Sequence, residues 1–362
     1  MGGMAGSGHS CFYLLWRAAH NPTRVRRGLC DHGGLSPLGL APTSFIDAAT
    51  GAPAYGAYAG PMPAVDLGQL GLRDRVARRK RWVYCAIVTD EMWLSFAIVR
   101  TGYAATAFAF AYDRAGKRMM VDRSVLAPAP MARVNDDPHA QGELATFARG
   151  KTRLSVTRRG TTLDVHVRLR DLEIDAAIDE ATGPPAITAI ASLGNGLLDA
   201  TEKRGLLDVK GLARTGNREI VLSGGTAGYD YTHGLLPRHT TWRWAFALGR
   251  DESGQPFGFN VVQGFVGQAE CAAFCGGEVV PIAEPRFEFD LAAPMRPWRL
   301  TADGVDLTFE PGAIHAQTTN ALLVKSRFVQ PVGLFTGTVR IRGRDVRVAG
   351  LPGVVEDQDV LW

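Results

Sequence analysis

Apolar and polar positions alternate along most of this chain with a period of two, the spacing of a half-buried β-strand. The clearest stretch is RLSVTRRGTTLDVHVRLR. There Leu154 and Val156 alternate with polar partners, and Arg159-Gly160 turns the chain. Leu163, Val165, Val167 and Leu169 then alternate with Asp164, His166, Arg168 and Arg170, which puts His166 on the solvated face. RWVYCAIVT and WLSFAIVR are apolar, aromatic and β-branched, and flank a turn at Asp90-Glu91. YAATAFAFAYD, TWRWAFALG, PFGFNVVQGF, RFEFD, WRLT, VDLTFE, KSRFVQ and LFTGTVRI read the same way, at hairpin spacing. No helical period persists beyond about two turns. The pattern predicts an all-β chain of roughly eighteen short strands, too many for one eight-stranded barrel. Two antiparallel halves, barrel-like or sandwich-like, are expected in tandem, 29–190 and 191–362, meeting near Ala186 to Gly196.

The Gly- and Pro-rich text from Leu29 to Leu70 has little periodicity and reads as an irregular lead-in packed on the first half. The first 28 residues carry Arg17, Arg24, Arg26 and Arg27 with no acidic residue, and their apolar part, Cys11 to Trp16, is short for a secretory signal. They are expected to stand outside the fold, as a disordered extension or the product of a misplaced start.

Composition narrows the class. At 362 residues, 46% hydrophobic and 21% charged, the chain has the makeup of a globular protein with a substantial core. A net charge of +4 with no basic stripe of interleaved aromatics argues against nucleic acid, and no run reaches a membrane-spanning length. The longest basic run, Arg78 to Arg81, reads as a solvated strand entrance in preference to a phosphate or lipid-headgroup contact. Five cysteines, an odd number without scaffold spacing, fit a reducing, cytoplasmic setting. Cys271 and Cys275 lack a second ligand pair for zinc, and Asn135-Asp136-Asp137 with His139 reads as a polar turn, so no metal is expected.

Candidate chemistry concentrates between Gly228 and Phe265, in GYDYTHGLLPRHTTWRWAFALGRDESGQPFGFNVVQGF. Asp230, Tyr231, His233, Arg238, His239, Trp242, Arg243, Trp244, Asn260 and Gln263 crowd into this stretch. Trp242, Trp244, Phe246 and Leu248 share one strand face, and Arg243, Ala245 and Ala247 the other. Arg243 either snorkels to solvent or lies beside a carboxylate, with Asp230, Glu270 and Glu356 as candidates. A carboxylate desolvated in an apolar barrel is a general acid near neutrality, and His233 and His239 titrate in the same range. The competing reading is a structural ion pair of Arg243 with Asp230 or Glu270. No G-x-S-x-G, phosphate-binding G-x-x-x-x-G-K-[ST] or H-E-x-x-H motif is present.

RKRWVYCAIVTD, with Arg79, Lys80, Trp82 and Tyr84; TEKRGLLDVKG, with Thr201 and Lys203; DYTHGLLPRHTTWRWA, NVVQGF, ECAAF, MRPWRL, VDLTF and the closing GVVED occur in one order. On these motifs the chain, from Leu29 to its end, resembles the family catalogued as domain of unknown function 2804. That family is similar in turn to a lipocalin-like superfamily with carotenoid hydratases and tocopherol cyclases. The resemblance implies two lipocalin-like β-barrels, a long apolar ligand and no organic cofactor. Asp230, Arg238, Trp242, Arg243, Trp244 and Glu356 stand where the pattern has them. Cys271 replaces a usual Asn after Glu270, removing an amide that would orient a ligand, and Gln358 replaces a frequent His, removing a proton carrier. Both departures weigh against the catalytic reading.

The sequence therefore points to a β-barrel cavity for a small apolar or isoprenoid-like molecule. Asp230, Glu270, Arg243, His233 and Glu356 are the candidate catalytic groups, and Tyr231, Arg238, Trp242, Trp244, Asn260 and Gln263 the candidate ligand contacts. If the protein is an enzyme, the chemistry is proton transfer: hydration, isomerisation or cyclisation without a cofactor. Asp230 or Glu270 would be the acid, and Trp242 and Trp244 would stabilise a developing carbocation. The alternatives are a non-catalytic carrier or sensor, or a scaffold whose barrel is filled. The sequence sets no oligomeric state.

Overall fold

Period-two alternation becomes strand nearly everywhere in the computed structural model, which describes residues 35–320 and 325–362. The expected extension, 1–28, and the start of the lead-in lie outside the described residues. Among the described residues, twenty-four strands fall into a fifteen-stranded and a nine-stranded sheet, both curled and almost wholly antiparallel, as in two lipocalin-like halves. The extra strands beyond the sequence reading include Gly142–Arg149, Leu172–Asp179 and Ile187–Gly194.

In the first sheet, Thr226–Leu235 lies between Arg79–Val88 and Leu197–Thr215. Met92–Thr101, Ala104–Asp113 and Arg118–Pro128 extend it on one side, and five strands from Leu172–Asp179 to Ala132–Val134 on the other. In the second sheet, Arg344–Leu361 sits between His239–Arg250 and Lys325–Ile341. The sheets change over at Leu236 to Arg238, and not near residue 190. Ile187–Gly194 is a hairpin partner of Leu197–Thr215 within the first sheet, so no division falls there. Of the lead-in, Gly56–Ala59 pairs antiparallel with Ile187–Gly194, and the rest is largely irregular.

Two apolar cores result, and Arg79–Val88 serves both. Val83, Cys85 and Ile87 point into the curl of the first sheet, beside Val165 and Ile174. Tyr84, Ala86 and Val88 point towards the second sheet, beside Trp244 and Phe246. Burial on both faces explains why this strand reads as an unbroken apolar run instead of an alternating one. Glycines permit the close approach of the sheets. A Cβ at Gly205 would lie 2.8 Å from Leu248 and 2.9 Å from Phe274, and one at Gly228 2.6 Å from Phe246. Among the described residues no helix is long and apolar enough to cross a membrane.

Candidate functional site between the sheets

Strand alternation carries one face of each sheet to a shared cavity of about 170 Å3 at the end of the strands where the crossover runs. From the first sheet come Trp82, Tyr84, Val99, Thr106, Phe108, Asp199, Lys203, Asp230 and Thr232. The second contributes Trp242, Trp244, Val262, Phe328, Gln330, Glu356 and Gln358, with Phe265, Glu270 and Trp362 from its loops and end. Trp82 stacks on Trp242 with centroids 6.1 Å apart, and Tyr84 meets Trp244 edge-on at 5.3 Å. The rings at the mouth (Trp82, Trp242, Phe265, Phe328, Trp362) are partly exposed, while Asp199, Lys203, Asp230 and Glu270 form a buried floor.

Lys203 organises the floor. Its Nζ is 2.6 Å from Asp230 Oδ2 and 3.1 Å from Glu270 Oε2. Burial alone would push the lysine down, but the two carboxylates outweigh it and hold Lys203 above its ordinary range. Asp199 is pushed well up by burial and by the charge of Glu270, and its Oδ1 has no hydrogen-bond partner among the described residues. Burial also raises Glu270, against the pull of Lys203. Thr201 and Thr232 hydroxyls complete the shell around Asp230 Oδ1.

Glu356 stands apart from this ion pair. Its Oε1 accepts the Trp242 indole N–H at 2.7 Å, and its Oε2 accepts the Gln330 amide at 2.7 Å. Both donors are neutral. Burial raises its pKa to about 7, and those two hydrogen bonds keep it from rising further. Gln330 Oε1 has no hydrogen-bond partner among the described residues. The cavity therefore combines a carboxyl group poised near neutrality, an open acceptor and a wall of aromatic rings.

Of the residues singled out in the sequence, Asp230, Glu270, Glu356, Trp242 and Trp244 meet here. The others are placed elsewhere. Arg243 points away from its tryptophan neighbours, half-exposed, and pairs with Asp357 at 3.0 Å, not with Asp230 or Glu270. Lys203 fills the role expected of it. His233 is on the opposite strand face from Thr232, where its Nε2 accepts the Arg79 Nε–H at 3.0 Å. Burial and the Arg79 and Arg81 charges depress its pKa to about 3, so it stays neutral and does not titrate near pH 7. His239 is exposed and pairs with Asp359. Tyr231 belongs to the first core and donates to the Asn135 carbonyl. Arg238 lies on the exposed crossover, its carbonyl accepting the Trp362 N–H. Asn260 is a positioning residue: its Oδ1 accepts from Trp244 Nε1 and its Nδ2 donates to the Glu270 carbonyl, both at 2.7 Å. Gln263 accepts the Phe287 N–H outside the cavity.

Lys203, Asp199 and Gln330 were not foreseen as site residues. A signal was present in DATEKR, Asp199 to Arg204, which is polar on both faces of a strand and so demands buried partners on each. The other face carries a second network, where Glu202 accepts from His139 and Met62 N–H. Tyr229 bridges Glu202 to Glu180, which Arg158 and Arg204 hold. His139, Glu180 and Glu202 bring potential metal-ligand atoms together, but the two arginines already neutralise that site. Asp136, in the stretch read as a polar turn, is bound by Arg79 and Arg81.

Two lipocalin-like sheets with an acid-bearing aromatic cavity between them define the class of protein. The chain belongs to the family described as Domain of unknown function (DUF2804), which it matches over residues 45–362. No curated protein matches it significantly in sequence. Among solved structures it is similar to CghA with Sch210972, at 10% identity and a TM-score of 0.50, covering 89% of this chain and 97% of that one. A kievitone hydratase from Nectria haematococca is 13% identical over 84% of this chain and 96% of that one, with a TM-score of 0.47. A putative AttH from Nitrosomonas europaea is 14% identical over 83% and 98%, with a TM-score of 0.46. At such identities the CghA likeness establishes the shared fold alone.

Proposed function

We propose that this protein binds a small, largely apolar molecule between its two sheets and converts it by proton transfer, with Glu356 as the general acid. The observation that carries this reading is a buried carboxyl group with only neutral hydrogen-bond donors, raised to about 7, inside an aromatic cavity. A general acid works best when its pKa lies near the working pH. Asp230 and Glu270 are bound to Lys203, which fits them for fixing the floor in place of donating a proton. Trp242 and Trp244 would face positive charge developing on the substrate. Hydration, isomerisation or cyclisation of a double bond all fit this arrangement. The volume of about 170 Å3 suits one or two rings, since a cavity of ~150 Å3 accommodates benzene. A longer molecule would extend through the mouth. The unpartnered Gln330 Oε1 calls for a hydroxyl or N–H on the ligand.

The test begins with organic extraction of the purified protein and mass spectrometry of what comes off. The compound found is then offered to the wild type and to Glu356→Gln. Turnover should fall by roughly 10²–10⁴-fold with binding retained. Equal turnover by the variant would remove Glu356 from the chemistry, and binding without turnover in either form would make the protein a carrier.

A further inference from the structure

The run RDRVARRK ahead of the first long strand is not absorbed by the cavity, and its surroundings are unusual. Asp74–Arg78 forms a short π-helical turn with no buried residue. Leu72 and Val76 project from it at 73% and 40% exposure. Gly102 packs against this turn, such that a Cβ there would sit 2.4 Å from Val76 Cα. The neighbouring Tyr103 is 39% exposed, and its carbonyl accepts the Ala129 N–H, which brings in Met131 at 44%. Single exposed apolar side chains are ordinary on a surface. Here four from three separate segments converge.

Charge accompanies them. Arg78 is paired with Asp74, but Arg73, Arg75, Arg100 and Arg133 make no ion pair with a carboxylate among the described residues. Arg79, Arg81 and Arg100 cluster around Asp136, with Arg133 beside Arg100. The patch is also continuous with the cavity mouth. Lys80 Nζ caps the Ala77 carbonyl and lies 5.8 Å from the Tyr103 ring and 5.2 Å from that of Trp362, a mouth residue.

We propose that this face, Leu72, Val76, Tyr103 and Met131 framed by Arg73 and Arg75, docks the protein on an anionic lipid bilayer with the cavity mouth beside the membrane. Apolar side chains with an aromatic ring would enter the headgroup region while the arginines meet lipid phosphates. A ligand dissolved in the bilayer then reaches the aromatic mouth without crossing water. That purpose rests on the proposed function, whereas the surface itself is tested without any ligand.

The full-length protein is floated with vesicles of phosphatidylcholine alone and with vesicles containing one third phosphatidylglycerol. Binding to the anionic vesicles alone is expected. Arg73→Gln with Arg75→Gln should weaken it on the order of 30-fold, roughly fivefold per arginine, and the paired lysine substitutions should retain it. Leu72→Asp with Val76→Asp should abolish it while leaving circular dichroism unchanged, since both side chains are exposed. Equal binding to both vesicle types, no binding, or unaltered binding by the variants would overturn the proposal. So would a concentration-dependent dimer broken by Leu72→Asp with Val76→Asp, which would assign the face to a second copy of the chain.

Discussion

Glu356 and Asp230 are both buried carboxylates in one cavity, and their partners divide their roles. Asp230 has an ammonium 2.6 Å away, whereas Glu356 has an indole and an amide. Burial raises the Glu356 pKa to about 7 against an ordinary 4.5, and these two neutral donors offset only part of the rise. The folded state thus holds a proton in a range where the unfolded chain has lost it. The stability this contributes is complete below pH 4.5 and is lost as pH rises through about 7. The difference amounts to about 3 kcal/mol. Glu356→Gln, always neutral, removes that slope. Urea unfolding of both proteins across pH 4 to 8 should show the variant gaining on the wild type by about this amount. A constant difference would mean that Glu356 is not the perturbed group.

At the scale of elements, alternation was legible and pairing was not. Trp242, Trp244 and Arg243 separate by face as their spacing requires, because side-chain direction in a strand is a local property. Which carboxylate answers which cation is not local. Lys203 and Asp230 are 27 positions apart on adjacent strands of one sheet, and Glu270 arrives from the other sheet. The sequence leaves Arg243 between snorkelling to solvent and meeting a carboxylate, and it does both, half-exposed and paired with the buried Asp357. The changeover at Leu236 to Arg238 is similarly brief and carries no long linker to mark it. Sheet contact has its own sequence cost in small residues. A Cβ at Gly228 would lie 2.5 Å from the Arg204 carbonyl and 2.6 Å from the Phe246 ring. Gly228→Ala should therefore destabilise the fold by about 1–3 kcal/mol through overpacking. A lower urea midpoint with unchanged slope would show it, and an unaltered midpoint would mean that the sheets separate there at no cost.

For the whole molecule, the two sheets share a core at one end of their strands and a cavity at the other. The all-β class and the tandem halves were readable because hairpin spacing and strand number are properties of the text itself. The cavity was not, since its floor and walls come from opposite sheets and its size depends on how closely they approach. Its aromatic mouth, charged floor and single acid with neutral partners form one arrangement, and the protonation of Glu356 near neutrality is the claim on which the functional reading stands. The most direct measurement is a carbon-13 NMR titration of the glutamate side-chain carboxyls, with Glu356→Gln identifying the resonance. One carboxyl titrating near pH 7 and absent from the variant is the expected result. A Glu356 resonance that titrates near 4.5, like an ordinary glutamate, would contradict the account.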